Sequence, residues 1–147
     1  MRADRELGEL LNEIRVALPG LELLFGFLLI LPFSDRFASI SGLERNIYVA
    51  CFLATACATA LLIAPTARHR MAFRSVDKEK LVIQANRLVI AGLILIAVAI
   101  ALATYLVVSV VLDGTWAAAI ASALAGWFVL WWFGVPLWHQ RTGDTVH

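Results

Sequence analysis

Four long apolar stretches dominate this chain, at residues 16–33, 47–63, 88–112 and 116–138, and its charged residues lie almost entirely between them. A bilayer core about 30 Å thick needs ~20 apolar residues per helical span. The stretches meet that length, the second near its lower limit. In lipid every backbone polar group must be satisfied within its own segment, which favours helices. The expected fold is therefore all-α: an integral membrane four-helix bundle. Any function must operate in or beside a membrane.

Charge supports this and orients it. Hydrophobic residues make up 61% of the 147 residues and charged ones 16%, against about 25% charged in a typical soluble domain. At this length one transmembrane domain, 1–147, is expected. Lys and Arg concentrate before the first span (Arg2, Arg5, Arg15), in the second connection (Arg68, Arg70, Arg74, Lys78, Lys80, Arg87) and in the tail (Arg141). The first connection has only Arg36 and Arg45, and the third has none. Positive residues in short loops stay cytoplasmic, so both termini are expected inside. No cleavable signal peptide is expected, because no small-residue cleavage site follows the first apolar run. Cys51 and Cys57 lie on different faces of one helix, at about 100° per residue. They are read as small packing residues.

The leader, about residues 4–18, reads as an amphipathic interfacial helix. Leu7, Leu10, Leu11, Ile14 and Leu18 recur at helical spacing among Asp4, Glu6, Glu9 and Glu13. Pro19-Gly20 predicts a kink into the first span. Ser41-Gly42-Leu43-Glu44 has capping-box spacing and predicts the start of the second helix. Pro65 predicts its end, with a basic loop at 66–80 and a third helix resuming near Asp77. Asp113-Gly114 predicts a tight turn, which makes the third and fourth helices antiparallel neighbours. Small residues recur every four positions at Ala50, Ala54 and Ala58, at Cys51, Thr55 and Thr59, and at Ala117, Ala121 and Ala125. Such rows allow close helix packing in lipid. Trp116 at one end of the last stretch, with Trp127, Trp131, Trp132 and Trp138 toward the other, reads as an interfacial aromatic belt.

Few residues carry chemistry. Glu22 falls inside the first span, where a carboxylate usually faces a bundle interior or water and finds a partner. Asn86 and Arg87 enter from the same side on the third helix. Glu22, Asn86 and Arg87 thus form a candidate intramembrane polar site, with a Glu22–Arg87 tie as its simplest form. Thr104, Tyr105 and Ser109 are expected to hydrogen-bond to backbone or neighbouring helices. Asp35, Arg36, Glu44 and Arg45 are expected to form local caps and ion pairs. Arg68, His69, Arg70, Arg74, Lys78 and Lys80 form a basic patch, a topological signal and a candidate site for anionic lipid headgroups. It lacks interleaved aromatics, so nucleic acid is not an expected partner. His69, His139 and His147 lack metal-ligand spacing, and no nucleotide-binding or catalytic motif occurs. No cofactor, metal or enzymatic activity is expected.

Certain segments are recognisable in combination. Glu13-Ile14-Arg15-Val16, Leu28 through Phe33, Ala64-Pro65-Thr66-Ala67-Arg68-His69-Arg70 with Phe73-Arg74, and Ala85-Asn86-Arg87-Leu88 together resemble a family of small four-span bacterial membrane proteins with no known function. The resemblance covers about residues 9–138. It implies four helices in a bacterial inner membrane and transfers no activity. It also implies a glutamine where this chain has Glu22, which argues against a carboxylate mechanism shared by the family. Two functions fit the sequence. The first is a non-enzymatic assembly or accessory module that associates with itself or with a larger membrane protein. The second is an oligomeric ion or proton channel or transporter built around Glu22, Asn86 and Arg87. Weak polar content favours the first.

Overall fold

A computed structural model describes the backbone of residues 2–71 and 78–134, and the side chains of residues 12, 15–67 and 83–132. The described chain is all-α, with helices α1 (Arg2–Ile30), α2 (Gly42–Met71), α3 (Lys78–Val111) and α4 (Gly114–Val129). Two 3-10 segments, Leu31–Phe33 and Asp35–Ser39, join α1 to α2, and a π turn, Leu130–Gly134, follows α4. No strand occurs among the described residues. Four segments are long and apolar enough to cross a membrane: Arg15–Phe33, Gly42–Ala67, Ile83–Val111 and Gly114–Trp132. Between 6% and 22% of the residues in their apolar windows are buried. Most of this apolar surface therefore faces outward, as lipid requires and water would penalise.

Pro19 lies inside α1, which runs unbroken from the leader into the first span. One boundary differs from expectation. Pro65 lies inside α2, which continues to Met71. Arg68, His69 and Arg70 are thus helical and not in a loop. A proline removes one backbone donor, but helices at membrane depth tolerate it because neighbouring groups re-satisfy the freed carbonyl. The α3 start at Lys78 agrees with the expected resumption near Asp77.

The start of α2 is set by its predicted cap. The Ser41 amide donates to Glu44 Oε2 at 2.8 Å, and the Glu44 amide donates to Ser41 Oγ at 3.2 Å. Two amides that lack intrahelical acceptors are satisfied reciprocally. Ser41→Ala is expected to lower stability by about 1 kcal/mol. Unfolding in mixed micelles measures this, and an unchanged midpoint would refute it.

Two compact units are distinguished, Met1–Ala99 and Ile100–His147. The core of the first follows one stripe of α2: Cys51, Ala54, Thr55, Ala58 and Leu62 are all buried. Against it lie Leu21 and Leu28 of α1 and Ala85, Val89, Ile96 and Ala99 of α3, also buried. The expected small-residue rows are therefore used selectively. Ala54, Ala58, Cys51 and Thr55 are buried, Thr59 is half-buried and Ala50 is exposed. α2 and α3 approach each other closely at Gly92. A Cβ there would lie 2.9 Å from Leu62 Cδ2 and 3.6 Å from the Ala58 carbonyl oxygen. Cys51 Sγ donates to the Ala99 carbonyl at 3.3 Å across the same seam.

In the second unit, the Leu112 amide still donates to the Val108 carbonyl, and the Ala117 amide donates to the Asp113 carbonyl. Asp113 is extended (φ −60°, ψ 150°) and reverses the chain. A Cβ at Gly114 would lie 3.5 Å from the Tyr105 hydroxyl, so α4 starts back beside the end of α3.

Candidate functional site

Each helix has a packed side, and the candidate residues are placed relative to it. On α1 the buried positions Leu21 and Leu28 share one line. Glu22 sits about 100° around from that line and is exposed. On α3 the buried positions Ala85, Val89, Ile96 and Ala99 define the packed line. Arg87 lies about 200° from it, on the far side, and Asn86 about 100°. Both are exposed.

Height separates these residues as well. The Phe25 and Phe52 rings stack at 5.0 Å, which sets Glu22 level with Thr55 on the antiparallel α2. The Cys51–Ala99 and Leu62–Gly92 contacts set Arg87 near the level of Pro65. The difference is about ten residues of α2, or ~15 Å. The structure brings Asn86 and Arg87 together and leaves Glu22 apart. The expected Glu22–Arg87 tie is not formed, because periodicity turns Arg87 away and register holds it a different depth. Neither residue makes an ion pair or hydrogen bond within the described chain.

The basic patch is split among elements. Arg68, His69 and Arg70 end α2, and Lys78 and Lys80 begin α3. Their side chains, and Arg74 altogether, lie outside the described residues, as do Trp138, His139 and His147. Asp35 and Arg36 are exposed in the 3-10 segment after α1.

The internal hydroxyls are occupied locally. Thr55 Oγ1 donates to the Cys51 carbonyl at 2.8 Å, and Thr59 Oγ1 to the Thr55 carbonyl at 2.9 Å. Thr104 Oγ1 donates to the Ile100 carbonyl and Ser109 Oγ to the Leu106 carbonyl, as expected. No buried side-chain polar atom lacks a partner, and no cluster of potential metal ligands occurs, among the described residues. The α2 seam is closely packed, with no row of free polar side chains along it among the described residues.

One polar contact was not anticipated. Tyr48 Oη donates to the Leu28 carbonyl of α1 at 2.8 Å. That carbonyl would ordinarily accept from the amide four residues on, but residue 32 is proline and has no N–H. The tyrosine of α2 therefore supplies the donor that Pro32 removes. Its ring packs edge-on against Phe37 at 5.0 Å and lies 6.3 Å from Phe52. Phe25, Phe37, Tyr48 and Phe52 close this end of the α1–α2 pair. The Leu28–Pro32 spacing is the sequence signal that points to an orphan acceptor.

At the far end of α4, Trp127 and Trp131 are exposed and in contact, ring centroids 5.7 Å apart. Phe128 and Trp132 pair at 4.9 Å on the adjoining, half-buried side. Trp116 is exposed at the helix start. Exposed indoles at both ends fit an interfacial belt.

Residues 1–136 match the model of a family described as a family of unknown function (DUF6328). The chain belongs to this family. The match takes in all four apolar helices and both proline-containing helices, so these features fall within the family's extent. No curated protein and no solved structure matches the chain.

Proposed function

We propose that this member of the family is a non-enzymatic assembly or accessory module of a bacterial inner membrane, with both termini cytoplasmic. The supporting observation is the division of its surface. The inner seam is closely packed and its hydroxyls are consumed by their own helices. The groups with chemical potential, Glu22, Asn86 and Arg87, all face outward, where another polypeptide or lipid meets them. The Lys and Arg distribution supports the orientation, and the basic patch at 68–80 suits anionic headgroups on that side.

The outward position of Glu22 also favours a second reading, in which several copies surround an ion or proton path. Glu22 is exposed and not inside the described bundle core, so conduction would need a ring of copies. Reconstitution in liposomes separates the two. Under the assembly reading no ion or proton flux is expected across imposed gradients, while copies or a partner co-purify. Flux that disappears in Glu22→Gln would overturn that reading in favour of conduction.

A further inference from the structure

We propose that α1 is the face by which two copies of this chain associate, parallel and two-fold related, with their Glu22 carboxyl groups hydrogen-bonded to each other across the axis. The inference rests on the assembly reading and specifies its partner as a second copy.

Three observations converge on α1. First, Arg15, Pro19, Glu22, Gly26, Leu29 and Phe33 follow one another at spacings of four, three, four, three and four. That spacing keeps the α1 residues Arg15 to Leu29 on one stripe of the helix, where a second helix can meet them, and Phe33 follows in the 3-10 segment beyond α1. The stripe lies about 120° from the Leu21–Leu28 line that packs on α2. All of these residues are exposed except Gly26, which is intermediate. Second, Gly26 has nothing within 4 Å of the position its Cβ would take. One turn from Glu22, it leaves open the space a second backbone needs for close approach in lipid. Third, Glu22 stands near the stripe's centre, within the Arg15–Phe33 span and without a partner among the described residues. A lone polar group at that depth is costly, and such groups pair with one another.

Symmetry selects the partner. In a parallel two-fold pair the same patch meets itself, so Glu22 of each copy arrives at the same depth on opposite sides of one axis. No adjustment of register is required. Thr55, the polar group of α2 at that level, is buried and donates to the Cys51 carbonyl. Arg87 stands ~15 Å away along the helices. A second Glu22 is thus the complement this chain itself can bring to that depth. Two carboxyl groups with one proton between them form a short O–H···O bond. A pair of glutamine amides would form equivalent bonds, whereas leucine would form none.

The full-length chain in phosphatidylethanolamine–phosphatidylglycerol vesicles tests this. Cys57, which is exposed, is replaced by Ser, and buried Cys51 is retained. A cysteine is then introduced by Gly26→Cys on the stripe, or by Phe27→Cys on a different side at nearly the same depth. Oxidation is expected to cross-link Gly26→Cys into covalent dimers and to leave Phe27→Cys monomeric. Photobleaching step counts of the labelled native-sequence chain are expected to give two copies. Glu22→Leu is expected to weaken association roughly tenfold, while Glu22→Gln retains it. Two copies without the Gly26→Cys cross-link, or cross-linking equal at both positions, would overturn the α1 face and leave assembly standing. A single copy under all conditions, with no co-purifying partner, would overturn the assembly reading as well. Cross-linking at Gly26→Cys with undiminished association in Glu22→Leu would overturn the carboxyl pair.

Discussion

Enlarging Gly92 is expected to separate α2 from α3. A methyl group at residue 92 would approach Leu62 Cδ2 to 2.9 Å and Cγ to 3.0 Å. Leu62 is 0% exposed, so it can withdraw only by repacking within the buried seam. Overpacking of this kind costs about 1–3 kcal/mol. Replacing a helical glycine by alanine returns up to ~1 kcal/mol through propensity. Gly92→Ala should therefore lose about 1 kcal/mol net, and Gly92→Leu about 3 kcal/mol or more. Leu62→Ala should cost about 2 kcal/mol, mainly from the cavity, because the side chain leaves one apolar medium for another. The double variant Leu62→Ala with Gly92→Ala should lose less than the sum, since the new methyl occupies vacated space. Unfolding of each variant in mixed micelles measures all three terms. A stabilised Gly92→Ala, or strict additivity, would show that the seam is looser than this geometry implies.

Removing the Tyr48 hydroxyl should cost about 1–3 kcal/mol, the penalty for stranding a buried acceptor. The cost arises because the Leu28 carbonyl receives its donor from α2 at 2.8 Å, residue 32 being proline. The same logic predicts a conditional rescue. In a Pro32→Ala chain, the amide of residue 32 can donate to Leu28, so Tyr48→Phe should then cost only a few tenths of a kcal/mol. The two-by-two comparison isolates the coupling. An equal cost of Tyr48→Phe in both backgrounds would mean the hydroxyl acts through the Phe25–Phe37–Phe52 cluster and not through the carbonyl.

These two sites differ in how far they could be read from residues alone. The Ser41–Glu44 box was legible because both partners lie within one turn and each supplies what the other lacks. The Thr and Ser back-bonds were legible for the same reason. The Tyr48–Leu28 bond has a local half, the missing Pro32 amide, and a distant half twenty residues on. The Leu62–Gly92 contact has no local half. A leucine and a glycine in apolar helices carry no sign of meeting until α2 and α3 adopt their register. Glu22 and Arg87 show the converse. Both enter apolar spans and carry opposite charges, so pairing them was natural. Register and rotation then put them at different depths, with Arg87 turned from the packed line.

Proline shows where local rules lose to context. Pro19 and Pro65 each weaken a helix, and by local rules the first predicts a kink and the second an end. Both lie within continuous helices, because a lost backbone bond is small beside the cost of exposing a whole turn's unsatisfied groups at the edge of lipid.

Fold class, the four spans, the cap of α2 and the α3–α4 reversal were determined by the residues themselves, through effects that act within a turn or through the length lipid imposes on a helix. Tertiary structure alone decided which small residues touch, what satisfies the Leu28 carbonyl, and that Glu22 faces outward with no partner among the described residues. These depend on the rotation and sliding of one helix against another. Such freedoms are settled by the close fit of shapes across a seam, which no single helix encodes.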